Sequence, residues 1–435
     1  MKYLLILILL LTQLTASSQS YTNYFTGNAT NIQTTPQGGT CMMGGASEHD
    51  GAMQWFLERA NGGDVLVLRA SGSDGYNDYM YSELGVTINS VETIVFNNSS
   101  AANETYIHNK IQQAEAIWFA GGDQWNYVSY WRDTPIASLI NEALQNRNIV
   151  IGGTSAGMAI LGNYYFSAMN GTVTSNTAII SPYDSDVTVD STDFLQIKYM
   201  EDVITDTHYD DPDRKGRHVV FLARILTDYG VAAKGIACNE YTAVCVDENG
   251  LARVFGDYPN YPETAFFLQT NCELPASEFG PESCNELLPM IWYRNGAAIR
   301  VYKVNGTNEG THTFSLTDWE TGNGGTWENW YVDDLSVFNE TTGTQIDCSP
   351  VSSTIDNDYI EPKVFPNPFS ERFSMESKDE IIAVSLVDVD GRKLLLENEL
   401  QTYSMSINKS SLPTGVYFLK LETRGGLFYY KLLKR

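Results

Sequence analysis

Short apolar runs alternate with amphipathic stretches from about residue 21 to about residue 255, and no other feature of the sequence constrains the fold as strongly. The apolar runs predict strands over 64–70, 116–122, 149–153 and 231–238. The stretches between them predict helices over 47–60, 105–114 and 135–147. Strands that alternate with helices form a parallel sheet covered on both faces, so the sequence predicts an α/β domain.

The composition changes in the last third of the chain. From about residue 285 to 340 it is rich in Tyr, Trp, Thr and Gly, which predicts antiparallel strands that either extend the first domain or form a small separate one. Residues 349–360 are polar and predict a linker. Residues 361–435 predict a compact all-β unit. The predicted first domain therefore covers 19–348.

The first 18 residues have one lysine, a run of Leu and Ile, and then small polar residues. This is the pattern of a secretory signal peptide. The run is short for a membrane span, and no later stretch reaches 18 continuous apolar residues. We therefore expect an exported protein with no stable membrane span.

The charge of the chain indicates which classes of partner it can bind. The 53 acidic and 27 basic residues give a net charge of −26, which argues against nucleic acid and anionic membranes as partners and favours cationic substrates. Cys272 and Cys284 bracket a loop rich in Pro, Gly and Ser and are predicted to form a disulfide, whereas Cys238 and Cys245 are predicted to be buried thiols. The sequence has no CxxC motif or Cys/His cluster, so we expect neither a metal nor a cofactor.

The pentapeptide Gly153–Gly157 (GTSAG) fits the G-x-S-x-G pattern, in which small residues let a sharp turn pass close to a strand and a helix. Ser155 then projects from the turn as a nucleophile, and the N–H of Ala156 points to where an oxyanion would form. The alternative is that Ser155 only caps the following helix.

A serine nucleophile needs a base. The chain has five histidines, and His208 is the best placed because it follows the apolar pair Val203-Ile204 and is expected at a strand end. The alternative is a surface histidine beside acidic residues.

The second oxyanion donor is expected from another strand end. The strand 116–122 runs into Gly121 and Gly122, whose bare backbone can approach a substrate closely, and Asp123 and Gln124 follow at the rim. The alternative is a plain tight turn.

Three motifs, FAGGDQ (119–124), GGTSAG (152–157) and THYxxxxRxGR (207–217), occur in this order. Together they resemble the cyanophycinase branch of the serine peptidase family that also contains dipeptidase E-like enzymes. The resemblance implies a flavodoxin-like fold of the class I glutamine-amidotransferase type. It also implies Ser155 as nucleophile, His208 as base and the N–H groups of Gly122 and Ala156 as oxyanion hole. It implies further that Gln124, Arg214 and Arg217 shape the site or hold substrate, with Asp123 beside them.

The third catalytic residue is not fixed by the sequence. In the family that these motifs resemble, an acidic residue follows the serine by some fifteen to twenty positions, but no Asp or Glu occurs between Ser155 and Asp184 here. Asn176 is a polar candidate in that window, and an Asn can hold the tautomer of a histidine. Asp206 is another, because two residues before His208 it would share a face with it on a strand. Asp184 is a third.

The substrate side of the site also departs from the family. One motif arginine is absent, and Asp210, Asp211 and Asp213 occupy that stretch. These carboxylates would suit a cationic group such as arginine, and a calcium loop is disfavoured because its Gly and distal Glu are missing. Segment 71–84 follows a predicted strand and is expected at the carboxyl edge of the sheet, either lining a substrate cleft or as a solvated loop.

The tail 361–435, with VFPNPF near its start and KLLKR at its end, resembles the C-terminal sorting domain of type IX secretion. This resemblance implies recognition by the type IX machinery, followed by release or attachment at the cell surface. A carbohydrate-binding β-sandwich is the alternative.

These observations predict a secreted serine hydrolase, cyanophycinase-like, that cleaves peptide or isopeptide bonds in a peptide or polymer substrate. An α/β-hydrolase esterase is one alternative, for which His312 would be the late histidine. A surface-binding protein without catalysis is another.

Overall fold

A computed structural model describes residues 19–191, 194–348, 362–388, 392–398, 400–424 and 426–435. The chain forms two compact units, the first of which ends at Cys348. The predicted signal peptide (1–18) and linker (349–360) lie outside the described residues. Within the described residues, no helix combines the length and apolar character needed to cross a membrane.

The α-helices of the first unit are α1 (Asp50–Arg59), α2 (Gly75–Asp78), α3 (Thr105–Gln113), α4 (Gln124–Trp131), α5 (Pro135–Arg147), α6 (Ala156–Ala159), α7 (Ser175–Ile180) and α8 (Lys215–Tyr229). Its strands are β1 (Tyr21–Gly27), β2 (Thr40–Met43), β3 (Asp64–Arg69), β4 (Ser90–Phe96), β5 (Ala116–Phe119), β6 (Val150–Thr154), β7 (Tyr165–Phe166), β8 (Val189–Asp190), β9 (Val203–Asp206), β10 (Lys234–Cys238), β11 (Ala243–Val246), β12 (Leu251–Phe255), β13 (Thr264–Thr270), β14 (Ile299–Asn305), β15 (His312–Ser315), β16 (Gly322–Asn323), β17 (Gly325–Val332) and β18 (Phe338–Thr342).

The larger sheet has the strand order β1-β4-β3-β5-β6-β2-β11-β12-β15-β16. Its centre, from β4 to β2, is parallel, whereas β1 at one side and the strands from β11 onward at the other are antiparallel. The strands predicted near 64–70, 116–122 and 149–153 are the neighbours β3, β5 and β6 of this parallel core. The predicted α/β class is confirmed.

Alternating side chains of the central strands explain why helices cover both faces. Leu68 and Phe119 pack into one core with Ile107 of α3 and Ile140 of α5. Residues one position earlier, such as Val67 and Trp118, pack into a second core with Phe56 of α1. A strand that is buried on both faces in this way needs apolar residues at nearly every position.

A second sheet has the order β18-β17-β14-β13-β10-β9, in which β9 and β10 are parallel and the other pairs are antiparallel. The strand predicted near 231–238 is therefore real but belongs to this sheet rather than to the central one. The β-rich region after residue 285 also divides, because β15 and β16 extend the larger sheet and β14, β17 and β18 build the second.

The predicted disulfide between Cys272 and Cys284 is wrong. Cys272 is bonded to Cys348, with their Cα atoms 5.5 Å apart, and Cys284 is a half-buried free thiol. Cys272 follows β13, and Cys348 lies beside Gln269 of that strand, so the bond ties the last described residue of the first unit to its second sheet. Cys238 and Cys245 are buried thiols, as predicted.

The second unit is an antiparallel sheet, and the prediction of an all-β tail is confirmed. Its strands are β19 (Lys363–Phe365), β20 (Arg372–Asp388), β21 (Lys393–Glu397), β22 (Thr402–Asn408), β23 (Gly415–Thr423) and β24 (Gly426–Lys434). The long strand β20 pairs with β19, β21, β22 and β23. Its core includes Phe373, Leu386 and Leu419.

Candidate active site

Several chemically important residues lie within two residues of the ends of parallel strands. Ser155 follows β6, Gly121 lies just beyond β5, and Gly45 lies just beyond β2. In the second sheet His208 follows β9 and Glu240 follows β10. The carboxyl edge of parallel strands is where open α/β folds bind their ligands.

The turn at Ser155 is strained and closely packed. Ser155 has φ +52° and ψ −117°, values that a residue with a side chain rarely adopts. Glycine is required on both sides of it. A β-carbon on Gly153 would lie 2.6 Å from the backbone of Gly157, and one on Gly157 would lie 2.2 Å from the oxygen of Phe119. The backbone N–H of Ser155 donates to the oxygen of Met43 at 3.1 Å, which anchors the turn to β2.

His208 faces the serine. Its Nε2 lies 2.8 Å from Ser155 Oγ, which is hydrogen-bond distance for a nucleophile and its base. The backbone of His208 has φ +46° and its N–H donates to the oxygen of Gly44 at 2.8 Å. The ring lies against Gly45, where a β-carbon would come within 2.4 Å of Nε2. The β2 loop therefore fixes both the backbone and the ring of His208.

Glu240 occupies the position of the third residue, which the sequence analysis missed. Its Oε1 lies 2.5 Å from His208 Nδ1, and both side chains are about a quarter exposed. The backbone N–H of Glu240 donates to Asp210 Oδ1 at 3.0 Å. The signal that could have identified it is its place two residues after the predicted strand that ends at Cys238.

The three residues considered for this position lie elsewhere. Asn176 is exposed on α7, and Asp184 accepts the backbone N–H of Asp186 at 3.0 Å. Asp206 does not share a face with His208, because the positive φ of His208 ends the extended backbone that this argument required. The predictions that Asn176 or Asp206 contacts the histidine are wrong.

Asp206 is instead bonded to Arg217 inside the protein. Arg217 Nε and Nη2 donate to the two carboxylate oxygens at 2.9 and 2.5 Å, and its Nη1 donates to Thr172 Oγ1 at 3.0 Å. Burial would raise the pKa of Asp206, but the charge and hydrogen bonds of Arg217 outweigh it and lower that pKa. With 2% exposure and its donors engaged, Arg217 holds the fold and not a substrate, so its predicted substrate contact is wrong.

Arg214 lies closer to the site. Its Nη1 donates to the backbone oxygen of Thr207 at 2.9 Å, next to His208. Burial, reinforced by the charge of Arg217, lowers its pKa, while the carboxylates of Asp206 and Glu240 oppose that shift. Its role in holding a substrate stays a prediction.

The glycine loop, which consists of Gly121 and Gly122 after β5, lies beside Ser155. A β-carbon on Gly121 would be 3.7 Å from Ser155 Cβ. Asp123 begins α4 by accepting the N–H of Trp125 at 2.9 Å, and Gln124 Nε2 lies 3.5 Å from the oxygen of Phe166. The predicted oxyanion roles of Gly122 and Ala156, and the substrate roles of Asp123 and Gln124, stay predictions.

Segment 71–84 lies at the same edge, since it follows β3. Ser71 Oγ would be 3.7 Å from a β-carbon on Gly122, so this segment meets the glycine loop. Tyr76 donates its hydroxyl to Glu48, and Tyr79 donates to Asp50 at 2.8 Å. Acidic and aromatic side chains therefore border the site on this side.

These geometries define a class. A strained serine, a histidine and a carboxylate in a chain of hydrogen bonds at the carboxyl ends of α/β strands is the arrangement that serine hydrolases use. Residues 40–254 match the model of peptidase family S51. The chain therefore contains a peptidase family S51 domain, and the family resemblance carried by the three motifs is confirmed.

Similar proteins carry the name cyanophycinase. The protein from Trichormus variabilis is 22% identical over 177 residues, which cover 41% of this chain and 53% of that relative. The one from Synechococcus elongatus is 22% identical over 208 residues, covering 46% and 59%. The one from Geminocystis herdmanii is 28% identical over 128 residues, covering 29% and 43%. The matched segment thus spans little more than half of the first of these relatives.

Two solved structures are also similar. A peptidase from an acI-B1 Actinobacterium has a TM-score of 0.39 and 16% identity and covers 52% of this chain and 90% of its own. A putative peptidase E from Listeria monocytogenes has a TM-score of 0.32 and 16% identity, with coverages of 51% and 98%. At such TM-scores these structures do not define the fold, which is defined by the strand order of this chain.

Residues 363–435 match the model of a secretion system C-terminal sorting domain. The resemblance of the tail is confirmed. A sorting domain of this kind indicates secretion by the type IX route, so the protein belongs at the cell surface or outside the cell.

Proposed function

We propose that this protein is a serine-type hydrolase that cleaves peptide or isopeptide bonds through an acyl-enzyme. The observation that carries the proposal is the pair of hydrogen bonds from Ser155 Oγ to His208 Nε2 and from His208 Nδ1 to Glu240 Oε1. The peptidase family match over 40–254 supports the same reaction class.

The proposed reaction follows from these contacts. Ser155 Oγ attacks the carbonyl carbon while His208 takes its proton, and Glu240 stabilises the resulting imidazolium. The N–H groups of Gly122 and Ala156 stabilise the oxyanion. His208 then gives the proton to the leaving amine, which breaks the C–N bond and leaves Ser155 acylated. Water gives a proton to His208 and attacks the acyl carbon; the ester bond to Ser155 then breaks, His208 returns the proton to Ser155 Oγ, and the carboxylic product leaves.

The proposed substrate carries a cationic group. The formal charge of −26 favours such substrates at long range, and the exposed carboxylates Asp123 and Asp211 closely follow Gly122 and His208 in sequence. The relatives named cyanophycinase make a β-aspartyl-arginine bond the first isopeptide to test.

We further propose that residues 1–18 are a signal peptide, that 19–348 form the hydrolytic domain and that the linker at 349–360 precedes a tail recognised by type IX machinery.

The test uses the full chain without the signal peptide. A fluorophosphonate probe should label the wild type, and Ser155→Ala should abolish the labelling. β-Aspartyl-arginine should then be hydrolysed in preference to α-aspartyl-arginine. A folded wild type that reacts with neither probe nor peptides would refute the hydrolase and favour a non-catalytic binding protein. Labelling with hydrolysis of esters alone would favour an esterase.

A further inference from the structure

The hydroxyl of Tyr127 lies directly against the glycine loop. Tyr127 belongs to α4 and is fully buried. Its Oη lies 2.9 Å from the backbone oxygen of Ala120 and 3.0 Å from that of Gly121, so the hydroxyl hydrogen can be donated to either. A helix that follows the loop thus reaches back to hold its carbonyl groups.

This contact determines which way the next N–H points. The carbonyl of Gly121 and the N–H of Gly122 belong to one planar trans peptide, in which the C=O and N–H bonds point in opposite directions. Because the carbonyl is held on the Tyr127 side, the N–H of Gly122 is directed to the other side of the loop. The loop itself lies beside the serine, since a β-carbon on Gly121 would be 3.7 Å from Ser155 Cβ.

The tyrosine ring is itself fixed. It stacks on Trp131 with ring centres 4.5 Å apart and an angle of 4° between the planes. Trp131 also packs on Phe119, the last residue of β5, with centres 5.4 Å apart. Strand end, loop and helix therefore form one packed unit. Burial raises the pKa of Tyr127 well above its usual value, so the hydroxyl stays protonated and remains a donor.

Gly122 also lies against the tyrosine hydroxyl. A β-carbon there would lie 2.9 Å from Tyr127 Oη, so the hydroxyl sits immediately beside this residue. A loop of two glycines without this contact could rotate its peptide at low cost, because glycine permits backbone angles on both sides of φ zero.

We propose that Tyr127 is a positioning residue that fixes the orientation of the Gly121–Gly122 peptide and so aims the N–H of Gly122 at the oxyanion. This inference rests on the proposed hydrolase function, although the orientation of the peptide itself does not depend on it. Tyr127 touches no reacting atom and acts through Gly122 alone.

The test is Tyr127→Phe, which keeps the ring and its stack on Trp131 and removes only the hydroxyl. The rate constant for fluorophosphonate labelling should fall by about 10- to 100-fold, less than or equal to the loss when an oxyanion donor is removed outright. The pH at which labelling is half-maximal should not move, because His208 and Glu240 are untouched. The matched control is Tyr130→Phe, a half-buried tyrosine of the same helix, which should label at the wild-type rate.

A crystal structure of Tyr127→Phe gives a readout independent of catalysis. We expect the Gly121–Gly122 peptide to be rotated or to adopt two orientations. A peptide unchanged from the wild type, or an unchanged labelling rate, would overturn the proposal. If wild type is not labelled at all, the proposed function fails, and the peptide orientation still decides the role of Tyr127. Should the Phe variant not fold, Gly122→Ala, whose β-carbon meets the hydroxyl, should displace the same peptide, and an undisturbed loop there would overturn the proposal too.

Discussion

Glu240 Oε1 and His208 Nδ1 lie 2.5 Å apart, across the ends of the neighbouring parallel strands β9 and β10. A carboxylate at Nδ1 keeps the proton on that nitrogen and leaves Nε2 free to accept the proton of Ser155. The second sheet therefore supplies both the base and its carboxylate, and the larger sheet supplies the serine.

Replacing this carboxylate should slow the reaction strongly. In Glu240→Gln the amide fills the same space but cannot stabilise the imidazolium and can hold the wrong tautomer, so the rate of fluorophosphonate labelling should fall by about 10²- to 10⁴-fold. The control is Glu201→Gln, an exposed carboxylate just before the start of β9 and therefore at the other end of that strand. Equal labelling of Glu240→Gln and wild type would remove Glu240 from the mechanism.

The site shows which features the sequence could predict. The positions of Ser155, His208 and the glycine loop can be predicted because each follows an apolar run, and strand ends can be recognised from such runs. Glu240 obeys the same rule, but it follows a different strand from both Ser155 and His208, so neither the spacing after the serine nor the neighbourhood of the histidine in sequence points to it. The pairing of β9 with β10 brings it to His208, and strand pairing is a property of the fold that a local window does not contain.

The predictions for Arg217 and for the disulfide are wrong for a related reason. In the sequence, an arginine that binds a substrate cannot be distinguished from one that pairs with a buried carboxylate. Asp206 pairs with Arg217 because β9 is buried on both faces, which the local sequence does not reveal. The pairing of cysteines likewise cannot be deduced from their number. Cys272 and Cys348 are distant in sequence and meet because both lie beside β13.

Gly45 should be indispensable for activity. In Gly45→Ala the new methyl would lie 2.4 Å from the His208 ring, at a backbone φ of +121°, so the ring must move away from Ser155. Labelling should fall by about 100-fold or more, because a misplaced base no longer reaches the hydroxyl. Gly85→Ala is the matched control. Gly85 also has a positive φ, +72°, but a methyl there meets nothing within 4 Å. Gly85→Ala should lose about 1–2 kcal/mol of unfolding free energy from backbone strain and keep wild-type labelling, whereas Gly45→Ala should lose at least as much stability and lose labelling as well.

Breaking the buried ion pair should cost stability. Asp206→Asn leaves the charge of Arg217 buried without its carboxylate, which should lower the free energy of unfolding by about 3–5 kcal/mol. The comparison is Asp228→Asn, whose partner Arg224 is one helical turn away and partly exposed, and where a loss of about 0.5 kcal/mol or less is expected. Urea unfolding at pH 7.5 measures both. A similar small loss in the two variants would show that Asp206 and Arg217 contribute no more than a surface pair.

The disulfide between Cys272 and Cys348 should stabilise the first unit. The two cysteines are 76 residues apart, and closing a loop of that length is expected to contribute about 4 kcal/mol through the unfolded state. Cys272→Ser should therefore lower the unfolding free energy by an amount of this order, and Cys284→Ser should change it little. Alkylation of the unreduced, denatured protein followed by mass analysis should find Cys284 modified and Cys272 protected. Protection of both Cys272 and Cys284, with alkylation of Cys348 instead, would restore the pairing of Cys272 with Cys284.

His218 should make the protein sensitive to mild acid. It is fully buried on α8, and burial lowers its pKa from 6.5 to about 4, with Asp206 opposing and Arg217 reinforcing the shift. Between about pH 6.5 and pH 4, His218 therefore binds a proton in the unfolded chain but not in the folded one. Stability is complete above this window and falls as the pH drops through it, by about 3 kcal/mol in all.

The variant His218→Leu removes the titrating group while keeping an apolar side chain of similar size. Its unfolding free energy should fall less between pH 7.5 and pH 4.5 than that of the wild type, by roughly 2–3 kcal/mol. Each protein serves as its own reference at pH 7.5, so any packing change cancels. Asp206 does not interfere, because its lowered pKa places its titration below this window. Equal pH dependence in the two proteins would mean that His218 is protonated in the folded protein or that water reaches it. The conclusion that the fold buries a neutral imidazole would then be wrong.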